Sequence, residues 1–161
     1  MTAGKIQFAE NEGTYVLKFV GDVRLTLCST LDTFLDKMFA QPDFKSVIVD
    51  LTETEGIDST SLGLLAKLSI QAKKKLGLVP TVVSTNEDIT RILLSMGFDQ
   101  VFILVREQAQ PSQSLQEVPV EECSEESAKK KVLDAHKVLM SLNEKNRQAF
   151  KDLVKSLECD G

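Results

Sequence analysis

At 161 residues, 42% of them hydrophobic, the chain is long enough for one domain of ordinary size plus an appendage and too short for two full domains. A formal charge of −5 and a pI near 5.0 argue against a surface that grips a nucleic-acid backbone, which must supply clustered Lys and Arg to replace condensed counterions. Cys28, Cys123 and Cys159 have no CxxC spacing and only His136 to join them, so no metal, cofactor or disulfide framework is expected, and the thiols read as reduced in a cytosol.

Residues 5–9 and 14–20 read as two strands around a turn containing Asn11 and Gly13, with Tyr15, Leu17 and Phe19 on one face and Val16, Lys18 and Val20 on the other. From Ser29 the period changes: Leu31, Phe34, Leu35, Met38 and Phe39 recur at helical spacing, and Pro42 closes the segment. Residues 46–51, SVIVDL, have the apolar, β-branched character of a strand covered on both faces. After the loop TETEGIDST, a helix over residues 62–76 places Leu62, Leu65, Leu68 and Ala72 on one stripe, carries Lys73, Lys74 and Lys75 at its solvated negative end, and stops at Gly77. A strand over 78–84 tolerates Pro80 only near its start or on an unpaired edge. A helix over 86–96, closed by Gly97, and a last strand over 101–105 complete the series.

This alternation predicts an α/β layer fold with right-handed crossovers and a largely parallel, mixed sheet of about five strands, in which the first hairpin breaks the parallelism. Residues 1–106 form that domain. Residues 107–126 turn to Gln, Ser, Pro and Glu and read as a flexible linker. Residues 127–161 form a helical C-terminal extension, with Val132, Leu139 and Leu142 and then Phe150, Leu153, Val154 and Leu157 as apolar stripes, and a capping box of Ser141 with Glu144 between its two helices. The stripe suits packing on the domain, on a second copy or on another protein. The opening residues alternate and carry charges where an export signal needs an unbroken apolar stretch, and no segment approaches the ~20 apolar residues of a membrane span.

The most informative stretch is VIVDLTETEGIDSTSLGLLAKL, residues 47–68. A buried strand runs into a loop that delivers Asp58, Ser59, Thr60 and Ser61 to the start of an amphipathic helix, at the carboxyl end of the sheet where α/β folds keep partner and ligand sites. Asp and Ser are also the residues that cap helices, so the cluster alone reads as a cap before it reads as a site. Catalysis is not expected: a serine nucleophile needs a base within reach, and the lone histidine, His136, lies in the tail, where it reads as ordinary helix surface or core. No GxSxG elbow or phosphate-cradling GxxxxGK[ST] is present, and Glu53 and Glu55 read as solvated loop charges.

GIDSTSLGLL resembles the signature segment of the STAS domain in anti-sigma-factor antagonists, an Asp-Ser pair followed by Ser or Thr, usually Gly, an aliphatic residue and Gly. Asp58, Ser59, Thr60, Leu62 and Gly63 match it in order, and the likeness extends over about the first hundred residues, with IVDLTETEGIDS similar to the family's strand-to-loop passage. The resemblance implies that Ser59 is a phosphoacceptor. It implies a cytoplasmic switch whose unphosphorylated form binds an anti-sigma factor, often itself a serine kinase, so releasing a sigma factor, while a PP2C-type serine phosphatase resets it. Two positions depart from the pattern. Ser61 stands where glycine is common and adds a second possible acceptor hydroxyl. In GDVRLTLCSTL, similar to the family's Gly-Glu-Leu-Asp segment, Arg24 replaces an acid while Asp22 keeps the other acidic position, so Arg24 either pairs with the phosphate or is a rim charge. The alternative is an accessory subunit of a transporter, as some small STAS proteins are, with the serine loop as docking surface and the tail as a further protein contact.

Overall fold

Glu12 and Gly13 both adopt positive φ, 52° and 89°, the two-residue turn whose twist suits a tight hairpin. In the computed structural model, which describes residues 3–107 and 115–159, that turn joins β1 (Lys5–Asn11) to an antiparallel β2 (Thr14–Val23). The chain continues through α1 (Cys28–Ala40), β3 (Ser46–Asp50), β4 (Thr54–Ile57), α2 (Ser59–Leu76), β5 (Thr81–Val83), α3 (Glu87–Ser95), β6 (Ile103–Val105), β7 (Gln116–Glu117), α4 (Glu125–Leu142) and α5 (Glu144–Cys159).

The sheet runs β6-β5-β3-β2-β1-β7, with β4 paired to β2 beside this path. Strands β2, β3, β5 and β6 are mutually parallel, and β1 is antiparallel to β2, as the first hairpin requires, and also to β7. Seven strands replace the expected five or so. The two extra ones are short and exist through pairing: β2 outruns β3, so its last residues, Gly21–Val23, recruit Thr54, Gly56 and Ile57 from a stretch that read as loop. Pro80 sits immediately before β5, where its missing N–H is harmless and its carbonyl accepts from Ile103 N at 2.8 Å.

Strand β3 is covered on one face, not two. Val47 and Val49 are buried while Ser46, Ile48 and Asp50 between them are partly exposed, because the helices of the core gather on one side. On that side Leu17 and Phe19 of β2, Val49 of β3 and Val82 of β5 meet Leu31, Leu35 and Met38 of α1 and Leu62, Leu65 and Leu68 of α2 in one cluster.

Of residues 107–126, read as linker, 108–114 lie outside the described residues; β7 pairs with β1, and Val118 is buried with its N–H donated to Ile6 O at 2.8 Å. Beyond it α4 packs along α2, with Ala135 and Leu139 buried, and α5 folds back on α4. The expected Ser141/Glu144 capping box does not form. Asn143, the residue immediately before α5, accepts from Asn146 N at 2.8 Å, leaving the Ser141 hydroxyl to Val138 O. Glu144 instead pairs with Arg147, whose hydrogen bond, with a second from Gln148, holds its carboxyl down at about 2.

Candidate functional site

Asp58 carries the turn from β4 into α2. Its backbone is extended, its Oδ1 accepts from Ser61 N at 2.8 Å, and its Oδ2 accepts from Leu25 N at 2.8 Å in the loop after β2. One carboxylate therefore both caps the helix and ties it to the segment that bears Asp22 and Arg24. The cap reading holds for Asp58 and leaves the hydroxyl of Ser59, the first residue of α2, free of any capping duty.

The three hydroxyls that follow differ sharply in surroundings. Thr60 is 5% exposed and Ser61 1%, the latter 3.6 Å from the thiol of Cys28, which burial pushes up to about 11 against a smaller lowering by the Ser61 hydroxyl. Ser59 is partly exposed, and its hydroxyl lies 2.7 Å from Nε2 of His136. The other ring nitrogen, Nδ1, is 2.6 Å from Val132 O, which can only accept; Nδ1–H is therefore the donor, and in the neutral ring Nε2 accepts from Ser59 O–H. Phe150 of α5 stacks edge-on against the imidazole at 5.1 Å.

His136 thus stands beside the candidate site, although the sequence separates it from Ser59 by 77 residues. The distance is that of a nucleophile and its base. The ring is 2% exposed beneath the tail, so the contact as it stands joins α4 to α2. A sequence signal existed: Val132, Ala135, His136 and Leu139 share helical spacing on one face of α4.

Leu62 points into the core, and Gly63 lies where α4 crosses α2. A Cβ built on Gly63 would stand 2.6 Å from Ala135 Cβ and closer still to Ala135 O, so the two backbones meet only because the residue is glycine. Arg24 pairs with Asp22 rather than standing free. The Asp22 hydrogen bond and charge raise its guanidinium's basicity, outweighing a little desolvation, with a smaller contribution from Asp58. Asp22, Arg24, Asp58 and Ser59 therefore share one end of the molecule.

Beside the crossing, Asp32 of α1 accepts from Lys67 of α2 at 2.9 Å and from Lys131 of α4 at 2.7 Å. Burial pushes that carboxyl up, but the hydrogen bonds from Lys131 and Lys67 outweigh it and hold it below the ordinary carboxylate range. Among the described residues no group of three or more His, Cys, Asp or Glu could hold a metal ion, and no helix is long and apolar enough to cross a membrane.

Comparison with curated proteins returns no match. Residues 6–106, from β1 through β6 and including the whole Asp58–Gly63 segment, match the family model described as "Mlab, STAS domain", a family that is generally non-enzymatic and whose members suit protein–protein contact. A sheet in this order, a motif at the start of α2 and a match over the larger part of its length agree: the chain belongs to the STAS domain family.

Proposed function

We propose that this protein is a cytoplasmic, non-enzymatic anti-sigma-factor antagonist that docks an anti-sigma factor on the face around the start of α2, and that phosphorylation of Ser59 ends the docking. One observation carries the reading: of the hydroxyls at Ser59, Thr60 and Ser61, only that of Ser59 neither lies in the core nor caps the helix. A phosphate there adds about −1.5 to −2 charges at the positive end of an 18-residue helix, where dipole and free N–H groups stabilise it, so the domain keeps its fold. A partner covering the same spot must bury an unpaired dianion, at a cost of several kcal/mol, and each ~1.4 kcal/mol weakens binding tenfold. The serine kinase is the anti-sigma factor itself or an associated one, and a PP2C-type phosphatase restores the hydroxyl. Arg24, held by Asp22, is a rim charge of this face.

The test pairs kinase and ATP with wild type and Ser59→Ala, followed on a phosphate-affinity gel. Wild type gains one phosphate and the variant none, and Ser59→Asp binds the partner at least about tenfold more weakly with an unchanged circular dichroism spectrum. Label mapping to Thr60 or Ser61, or equal affinity of the Asp form, refutes the assignment. A second reading, docking onto a transporter subunit without phosphorylation, is favoured by the fact that the Ser59 hydroxyl already has a partner in His136. Recovery of an ATPase subunit from membranes in place of a soluble kinase decides for it.

A further inference from the structure

The family match ends at residue 106, yet the face that bears its motif is covered by residues that come after it. Four fastenings hold the α4–α5 hairpin there. At the start of α2 the Ser59 hydroxyl donates to His136 Nε2 at 2.7 Å. One turn further on, Gly63 admits Ala135 of α4 to a distance at which no side chain fits. Next to it the Asp32 carboxylate bridges Lys67 and Lys131. At the far end, Asn146 of α5 donates to Met96 O at 2.8 Å and to Leu139 O at 3.0 Å. Three of the four are polar, so water or another protein can replace them when the hairpin leaves, while Leu139 of α4, buried in the core cluster, is the apolar side chain that opening exposes. The opposite side of α2, with Leu62, Leu65 and Leu68, lies in a core cluster whose buried members all belong to the matched domain except Val118 and Leu139.

We propose that the α4–α5 hairpin is a built-in cover of the docking face, seated by the Ser59–His136 hydrogen bond and the Gly63–Ala135 contact, and that a kinase or partner reaches Ser59 only when it lifts. The proposal rests on the docking role assigned to Ser59. Its physical content is simple: a hydroxyl bonded to a sealed imidazole cannot enter a kinase's active site, and a helix lying on α2 occupies the place a partner's surface must take. Apparent affinity and phosphorylation rate are then both scaled by the fraction of molecules in which the cover is open, and loosening it raises both together.

Hydrogen exchange on the full chain tests the cover without any partner, comparing wild type with His136→Leu, His136→Gln and Ala135→Leu. The leucine at 136 fills the ring's volume but accepts no hydrogen bond; the glutamine offers a carboxamide oxygen near the place of Nε2. Amides of residues 59–66 and 125–142 are expected to lose protection together, at least tenfold, in His136→Leu and Ala135→Leu, with residues 14–23 and 46–50 unchanged and His136→Gln close to wild type. Loosening confined to 125–142, or loosening that spreads through 14–23 and 46–50, or none in either leucine variant, overturns the cover; His136→Gln as loose as His136→Leu overturns the hydrogen bond as its seat. With cognate kinase and ATP, the two loosened variants are expected to gain phosphate at Ser59 at least fivefold faster. An unchanged rate in a loosened chain overturns the gating, whereas no phosphate in any variant overturns the proposed function of Ser59 and leaves the exchange result standing.

Discussion

Replacing Asp58 by alanine removes two acceptors with one truncation, and the cost can be worked from its contacts. The lost cap on Ser61 N is worth about 0.5–2 kcal/mol. The Leu25 N–H, partly buried in the loop after β2, loses its acceptor as well, for about 1–3 kcal/mol if water cannot replace it. Partial access of water argues for the lower half of that range, giving about 2–3 kcal/mol in all. With an m-value of about 2 kcal/mol/M for urea, the unfolding midpoint of Asp58→Ala should fall by about 1–1.5 M at unchanged slope, read by circular dichroism at 222 nm. Asp58→Asn retains one oxygen for the helix N–H but turns an NH2 toward the other, so about half of that shift is expected. A shift below about 0.25 M for Asp58→Ala would refute the reasoning, since it would mean that neither bond contributes to stability.

Burial pushes the Cys28 thiol up to about 11, whereas Cys159 is exposed and Cys123, hydrogen-bonded by Ser29 and Ser127, lies below the ordinary thiol value. Ellman's reagent at pH 8 should therefore label Cys123 and Cys159 in the native protein and Cys28 only on unfolding; three equal rates would contradict the buried placement. Asp32 is held below the ordinary carboxylate range, so its contribution to stability is present above the unfolded value of about 4 and is lost as the pH falls through the lower folded value. Asp32→Asn should be less stable at pH 7 by up to about 1 kcal/mol, a figure kept small because the carboxylate and both lysines are partly exposed, and the gap should close below pH 4. A gap of constant size from pH 7 to pH 3 would remove the ion-pair explanation.

Gly63 belongs to the signature, and here it is a point at which a helix from outside the matched domain comes too close to α2 for a side chain. Lacking a side chain, it offers any incoming helix the same close approach, whether that helix comes from this chain or from a partner. The same is true of Ser59, whose hydroxyl can donate to an acceptor on either.

What could be read from the residues alone was whatever depends on local pattern. The alternation of Tyr15, Leu17 and Phe19, the helical spacing of Leu62, Leu65 and Leu68, and Gly77 at the end of α2, where φ is 67°, sit close together in the chain, and backbone geometry converts that spacing directly into strand, helix and stop. The Asp58–Gly63 segment was legible for the same reason, being a few consecutive residues at one strand-to-helix turn. Strands β4 and β7 were not, because four and two residues have no period of their own and become strands only by pairing with β2 and β1. Nor was the capping of α5 by Asn143 rather than Ser141, which turns on a shift in where the helix begins. The partner of Ser59 was the least legible of all: His136 lies 77 residues away, and nothing in the apolar stripe of α4 says which surface it will cover. The stripe determines that a helix must bury one face; only the tertiary fold, by setting Gly63 opposite Ala135, decides that the face is α2 and that an imidazole thereby meets a serine.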